Sequence, residues 1–193
     1  MSQFELYFGL GLDHILDVNG YDHILFVIAL ACLYSIQEWR RVLILVTAFT
    51  LGHSITLALA TLKFVVVDTE LVEFLIPVTI VITAISNLFN SSSGTKSSKL
   101  LNAVYAGVFG LIHGLGFSNY LRSLLGGEES IVTPLFAFNV GLEVGQIIIV
   151  LIFLGVAFIF VGPLKVPRRY WKIIISVIVA VVGLKLAFDA IYW

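Results

Sequence analysis

Four histidines, each set in an apolar segment, are the side chains of this sequence best able to do chemistry. The stretch Leu12–Phe26 (LDHILDVNGYDHILF) holds two of them, together with three aspartates. Ionisable side chains are costly within a membrane, and the few found there are usually functional. Imidazole and carboxylate groups together suit a first-row divalent metal, with Zn²⁺ or Ni²⁺ the natural candidates. The pattern therefore predicts a metal site that draws on His14, His23, His53 and His113.

The composition places the chain among the membrane proteins. Its 193 residues are 60% hydrophobic and 12% charged, with a mean hydropathy of +1.07. Soluble domains are about 45–50% apolar and about 25% charged. Because a crossing needs about 20 apolar residues, the length allows roughly six or seven transmembrane helices. The near-zero net charge and the lack of a basic cluster argue against a nucleic-acid partner.

Helical segments follow one another without a domain boundary, so we expect one all-α domain over residues 1–193, a polytopic bundle of six to seven transmembrane helices. Polar residues make Asn90–Lys99 the one clear flexible loop. We find no internal repeat in the sequence. The predicted helices are about Phe4–Leu16, Tyr21–Ile36, Val42–Leu62, one ending at Phe89, Leu100–Phe117, Ile131–Val161 and Trp171–Trp193, with the connection Gly126–Glu129 before the sixth.

Lys and Arg lie mostly on one side of this predicted bundle. When the connections are assigned to alternate sides, eight basic residues fall together and only Lys63 and Arg122 fall opposite. Basic loops stay in the cytoplasm, so we expect a multi-pass protein of the bacterial inner (cytoplasmic) membrane. With seven crossings the N-terminus is inside and the C-terminus outside. If the first helix does not cross, only the N-terminus changes side.

This orientation places polar side chains from six predicted helices between the midplane and the outer surface. Asn139, Glu143 and Gln146 share one face of their helix, because the second and third lie four and seven residues after the first. We expect a divalent-metal site in the outer half of the bundle, with acids and amides that orient the imidazoles. The predicted ligands are His14, Asp22, His23, His53, His113 and Glu143, and the predicted supporting residues are Asp13, Glu73, Ser54, Asn139 and Gln146.

Each of these residues also has a purely structural interpretation. A histidine within a membrane can simply hydrogen-bond a neighbouring helix, and amides such as Asn139 and Gln146 can do the same. Asp13 and Asp17 can lie at an interfacial helix end, and Glu73 can be a solvated loop charge. The shared depth of the four histidines favours a common site, because scattered structural histidines would not all avoid the inner leaflet.

Six motifs occur in order along the chain: His14-Ile15, Gly20–Phe26 (GYDHILF), Thr47–Leu57 (TAFTLGHSITL), Val72-Glu73, Phe109–Phe117 (FGLIHGLGF) and Phe138–Gln146 (FNVGLEVGQ). Over about residues 8–150 they resemble the HupE/UreJ membrane proteins, which are linked to hydrogenase and urease maturation. Members discussed as nickel permeases carry an H-x5-D-H motif, whereas seven residues separate His14 from Asp22 here. The resemblance is therefore closer to the less characterised branch. It implies a small polytopic membrane protein with nickel uptake as the role usually assigned.

Three functions fit a one-sided metal site. The family resemblance implies a metal permease of the nickel type, and ion sites of transporters commonly lie near the midplane where helices are interrupted. An integral-membrane metal-dependent hydrolase is the main alternative, with Asp22 or Glu143 as general base. A metal sensor or a structural metal is the third. In the inner half of the bundle, only neutral side chains are placed to line an exit for the ion. They are Ser35, Thr83, Ser86, Asn87 and Asn102.

Overall fold

Every regular element of the described chain is a helix. The computed structural model describes residues 2–89, 96–125 and 130–191, and these ranges contain no strand. The prediction of an all-α fold is therefore confirmed. The helices are α1 (Gln3–Leu16), α2 (Asp22–Ala31), α3 (Trp39–Thr61), α4 (Thr69–Phe89), α5 (Lys96–Gly116), α6 (Ser118–Leu125), α7 (Val132–Val161) and α8 (Arg168–Asp189), with a 3₁₀ turn at Ile36–Glu38.

The second helix is shorter than the sequence predicts. It ends at Ala31 rather than at Ile36. The Glu38 carboxylate accepts hydrogen bonds from the backbone N–H and the hydroxyl of Ser35, at 3.2 and 3.1 Å, and so starts a new helical segment. Apolar residues continue through this junction, so hydrophobicity alone does not mark where the second helix ends.

The connections on either side of α5 and α6 also differ from the prediction. Because α5 begins at Lys96, the predicted loop Asn90–Lys99 is helical in its last four residues, and its first six lie outside the described residues. The predicted connection Gly126–Glu129 lies outside them as well. The sequence pattern does not predict α6, since a short helix with Asn119, Arg122 and Ser123 resembles a polar loop by composition.

Four described helices are long and apolar enough to cross a membrane. They are α3 with its 3₁₀ turn, α4, α7 and α8, and α5 with α6 makes a fifth if the 52° bend between them interrupts one crossing. α1 has 14 residues and α2 has 10, which at about 1.5 Å per residue is too short for either to cross alone. A multi-pass membrane protein is thus supported, but the predicted six to seven crossings are not confirmed.

α1 lies along the first half of α7, and the two helices run in the same direction. Gly141 packs on the backbone of Phe8, and Gly145 packs on the side chain of Ile15. A Cβ atom at either glycine would overlap these neighbours, so the two helices approach as closely as their backbones allow. This contact fixes the depth of α1 in the bundle.

α3 and α5 form a second pair of the same kind. Gly107 lies against the carbonyl of Ala48, and Gly114 packs on the carbonyl of His53. Since residue numbers rise together along both helices, α3 and α5 also run in the same direction. The contact places the backbone of α5 directly beside the histidine of α3.

The two pairs repeat one structural unit. Gly11 of α1 packs on the carbonyl of Phe138 in α7, and Gly110 of α5 packs on the carbonyl of Phe49 in α3 in the same way. Both glycines open a short motif that ends in histidine, GLDH in α1 and GLIH in α5, and both phenylalanines follow alanine. The sequence alone shows no repeat, because the sequence match is confined to these contact motifs.

The repeated pairs are inverted with respect to each other. α3 starts where α7 ends, since Glu38 just before α3 bonds Arg168 just after α7, at 2.8 Å. α3 and α7 therefore run in opposite directions, and so do α1 and α5. The same end of the bundle holds the end of α4 and the start of α8, where Lys172 donates to the carbonyl of Leu88 at 3.5 Å. We refer to this end as the basic end; it carries Arg40, Arg41, Arg168, Arg169 and Lys172.

α1 and α2 follow one another in the same direction through the bundle. α1 ends and α2 begins at the level of His14 and His23, whose ring centroids are 4.6 Å apart. The segment after α2 reaches the basic end, where the carbonyl of Leu33 accepts from Arg168 at 2.7 Å. The break between α1 and α2 thus corresponds to the bend between α5 and α6.

Candidate metal centre

Three histidines from three helices converge within the bundle, and we refer to them as the triad. His14 lies near the end of α1, His23 is the second residue of α2, and His53 lies within α3. Each offers a ring nitrogen, and these three atoms all lie within 4.8 Å of one another. His23 and His53 are buried, with 4% and 0% of their surface exposed, and His14 is half-buried. Side chains at this spacing are able to bind one ion.

Four nitrogens of the triad are buried and have no hydrogen-bond partner within the described part of the chain. They are Nε2 of His14, Nε2 of His23 and both ring nitrogens of His53. A buried polar atom left unpaired costs about 1–3 kcal/mol, so such atoms need a physical explanation. A metal ion that accepts one lone pair from each imidazole explains three of the four, one on each ring. The residues therefore fit a bound divalent metal.

Asp22 fixes the orientation of the His23 ring. Its Oδ1 lies 3.0 Å from His23 Nδ1 and also accepts the backbone N–H of His23 at 2.8 Å. A carboxylate beside Nδ1 keeps the ring proton on that atom, so the lone pair is on the buried Nε2. Asp22, a predicted ligand, therefore lies behind a ligand and orients it.

His113 lies at the edge of the triad. Its ring centroid is 5.1 Å from that of His23, but it is not one of the three residues whose nitrogens converge. Thr79 Oγ1 donates to the carbonyl of Ile76 at 2.7 Å, so it accepts from His113 Nε2–H at 3.0 Å. The other ring nitrogen, Nδ1, is buried and unpaired among the described residues. His113 thus holds a free lone pair beside the triad.

Glu143 is not brought into the triad. It is turned toward α3, where Thr47 Oγ1 donates to its Oε1 at 2.7 Å. Gln146, one turn further along α7, accepts from Thr50 Oγ1 at 2.7 Å. The polar face predicted on this helix is therefore a contact that fixes α7 on α3.

The remaining predicted supporting residues bond elsewhere or face outward. Ser54 and Asn139 each donate to a carbonyl of their own helix, at 2.6 and 2.8 Å. Asp13 and Glu73 are exposed. Of the predicted site residues, only Asp22 therefore orients an imidazole. We expected this role of the supporting residues, whereas Asp22 itself was predicted as a ligand.

Aromatic rings surround the histidines, and the sequence pattern does not predict this. The ring of Phe117 lies 4.1 Å from that of His14, and the ring of Phe26 lies 5.1 Å from that of His113, centroid to centroid. The one available signal is that Phe49 and Phe138 occupy equivalent places in the repeated contact. Rings around a metal site lower the local dielectric and exclude water, which strengthens binding to the imidazoles.

One side of the triad opens to a cleft of about 490 Å³. His14 lines this cleft, and Asp13 and Asp17 add carboxylates that attract cations. The cleft lies between the second half of α1 and the start of α6, which is held beside the start of α4 by a bond from Asn119 to Thr69 at 2.9 Å. Beside the start of α6, the cleft therefore reaches the part of the bundle away from the basic end.

One known family matches the chain. The HupE / UreJ protein family model matches residues 1–192, and the chain belongs to this family. The resemblance to this family, inferred from the sequence motifs, is thus confirmed. A search among curated proteins finds no match, and a search among solved structures finds none. Membership of the family indicates a membrane protein that handles metal, as an accessory or a transport protein.

Proposed function

We propose that the chain is a permease for a divalent transition metal, Ni²⁺ or Zn²⁺, which it binds through His14, His23 and His53. The observation that carries this proposal is the convergence of three imidazoles whose nitrogens are buried and unpaired among the described residues. Imidazole nitrogens suit these metals better than Mg²⁺ or Ca²⁺, which prefer oxygen ligands.

Two further residues support the ion in this proposal. Asp22 keeps the lone pair of His23 on the nitrogen that faces the metal. His113 offers its free Nδ1 as a fourth ligand when its ring approaches that of His23. Glu143 instead fixes α7 on α3 through Thr47 and does not bind the ion.

In this proposal the protein is one helical domain that crosses the inner membrane six times. α1 with α2 forms one interrupted crossing, and α5 with α6 forms another. The support for this is that α2 continues the path of α1 toward the basic end and that α5 and α6 pass the length test together. With the basic end in the cytoplasm, the start of α1 and the end of α8 both face outward.

The interruption of two crossings at the histidines supports transport in particular. The end of α1 and the start of α2 carry His14 and His23, and His113 lies at the end of α5, just before its bend into α6. Transporters commonly place their ion sites near the midplane between such broken helices. A structural metal site, which only holds helices together, does not require the helices to be broken.

A membrane-embedded metal hydrolase is the second candidate. It is favoured by the cleft at His14, because a three-imidazole site with one open position can activate a metal-bound water. Both carboxylates considered as general base are engaged, Asp22 with His23 and Glu143 with Thr47. Transport therefore accounts for more of the geometry.

Elemental analysis of the detergent-purified protein tests the binding site. After loading with Ni²⁺ or Zn²⁺ and desalting, the wild type should retain about one ion per chain, as expected for three imidazole ligands. His23→Ala and His53→Ala should lose most of it, whereas Glu73→Gln, at an exposed position, should retain it. Loading of both histidine variants to the wild-type level would contradict the site.

Uptake into proteoliposomes then separates transport from catalysis. Wild-type protein should carry the bound metal into the vesicles, and His23→Ala should not. An ion that resists prolonged chelator washing and never crosses the bilayer would favour the hydrolase instead.

A further inference from the structure

A second cavity, lined by both polar and apolar side chains, lies toward the basic end. It measures about 270 Å³ and lies between α2, α3, α4 and α5. Hydroxyl and amide groups line it, and its described lining contains no charged residue. The lining residues with a hydroxyl or amide group are Tyr34, Thr83, Ser86, Asn87, Asn102 and Tyr105.

Two aromatic rings separate this cavity from the histidines. Phe109 lines the cavity, and its ring centroid lies 6.0 Å from that of Phe26. Phe26 is fully buried and lies 5.1 Å from His113 and 4.9 Å from Phe49, centroid to centroid. The barrier between the cavity and the nearest histidine is therefore one layer of phenylalanine.

We propose that this cavity is the cytoplasmic release vestibule for the metal ion and that Phe26 and Phe109 form its gate. The inference rests on the proposed permease function and adds a second site to it. The ion arrives through the cleft at His14 and leaves past the two rings. Neutral oxygen donors hold first-row metals more weakly than imidazoles do, so the cavity rehydrates the ion without retaining it.

The inverted repeat supplies a second, independent argument. Leu10 precedes Gly11 as Phe109 precedes Gly110, and each of the two lines the cavity on its own side of the triad. Transporters built from inverted repeats expose a central site to each side in turn by moving one repeat against the other. Here the side of α1 is open to His14 while the side of α5 is closed by Phe109, so the second state opens at Phe109.

Cysteine accessibility tests the vestibule without any metal. Ser86→Cys lies in the cavity, whereas Ile85→Cys lies at the same depth and outside its lining. In sealed membrane vesicles, a membrane-impermeant thiol reagent applied from the cytoplasmic side should modify Ser86→Cys at least about tenfold faster than Ile85→Cys, because reaction needs an accessible thiolate in water. The wild type sets the background, since its one cysteine, Cys32, is buried.

The gate is tested by uptake into proteoliposomes made from the same variants. A bulky reagent attached to Ser86→Cys should block Ni²⁺ uptake while the detergent-purified, modified protein still binds Ni²⁺. Phe109→Ala should raise the initial rate of uptake, and Phe109→Tyr should stay near the wild type, because it keeps the aromatic ring that closes the gate.

The outcomes separate the two proposals. Equal labelling of Ser86→Cys and Ile85→Cys, labelling of Ser86→Cys from the outside alone, or unchanged uptake after modification would overturn the vestibule while metal binding by the triad stands. Absence of metal binding in the unmodified wild type would overturn the permease itself, whatever the labelling pattern.

Discussion

A histidine can offer either ring nitrogen to a metal, and here the neighbouring residue decides which one. Asp22 holds the proton of His23 on Nδ1 and leaves Nε2 free. Thr79 holds the proton of His113 on Nε2 and leaves Nδ1 free, because the Thr79 hydroxyl already donates to Ile76. The two rings are thus prepared as ligands through opposite nitrogens.

Removal of the Asp22 carboxylate should weaken metal binding without removing a ligand. We expect Asp22→Ala to reduce affinity for Ni²⁺ or Zn²⁺ by about 10–100-fold, since loss of an orienting partner behind a ligand imidazole typically costs this much. Competition titration of the purified protein against a metal indicator measures the change.

Asp13→Ala is the matched control for this change. Asp13 lines the cleft, and its side chain is exposed. Its substitution should leave the equilibrium affinity nearly unchanged. An equal loss in both variants would mean that carboxylate charge attracts the ion and that orientation of His23 does not matter.

For single residues, the sequence predicts the depth of a side chain in the bundle better than it predicts which neighbouring helix the side chain faces. The four histidines were expected at one level, and three of them meet with the fourth beside them. Glu143 was expected at the same level, but it faces Thr47 of α3. Spacing along a helix shows which residues share a face, yet it does not show which neighbouring helix that face meets.

Among the helices, α1 determines whether the triad can form. It is 14 residues long and positions His14 only because glycines let it lie directly on α7. The turn after it, where Asp17 Oδ1 accepts the backbone N–H of Asn19 at 2.8 Å, then brings His23 to the same level. Close backbone packing between small residues is a common way for membrane helices to associate.

Substitution of Gly11 should therefore destabilise the protein. The new methyl group of Gly11→Ala would overlap the carbonyl of Phe138, and we expect a loss of about 1–3 kcal/mol or more, as for overpacked cores. The same substitution at Gly110, in the equivalent contact with Phe49, should also lower the stability of the protein. Thermal unfolding in detergent measures both.

Gly9→Ala is the control for the α1 variant. A Cβ at Gly9 meets no atom within 4 Å, so alanine should be neutral or stabilising by about 0.5–1 kcal/mol through its higher helix propensity. If Gly9→Ala and Gly11→Ala lowered the melting temperature equally, the α1–α7 contact would not be the cause.

The existence of the long helices can be predicted from the sequence, whereas their breaks and pairing cannot. α7 is expected at Ile131–Val161 and found at Val132–Val161, because its apolar run is long and ends at Gly162. α2 and α6 are short, so tertiary contacts rather than composition determine their ends. Nothing in the periodicity of α1 shows that it runs parallel to α7.

For the molecule as a whole, an inverted repeat that included every helix would predict an even number of crossings. We expect six, with the start of α1 and the loop between α3 and α4 on one side of the membrane and the 3₁₀ turn before α3 on the other. Three variants that each add one cysteine at an exposed position report this: Gln3→Cys, Asp68→Cys and Gln37→Cys.

In intact cells, an impermeant thiol reagent should modify Gln3→Cys and Asp68→Cys, and it should modify Gln37→Cys only after the membrane is opened. Protection of Gln3→Cys in intact cells, with Asp68→Cys still modified, would mean that the first segment crosses by itself. It would also mean that α1 with α2 is not equivalent to α5 with α6.

X-ray absorption spectroscopy of the Ni²⁺- or Zn²⁺-loaded wild type tests the shared metal site most directly, because it counts the atoms bound to the ion. We expect three or four imidazole nitrogens, at about 2.0–2.1 Å for Zn²⁺, and a spectrum that loses one imidazole in His14→Ala. A shell of oxygen atoms alone, or one that contains the sulfur of Cys32, would contradict a site made by His14, His23 and His53.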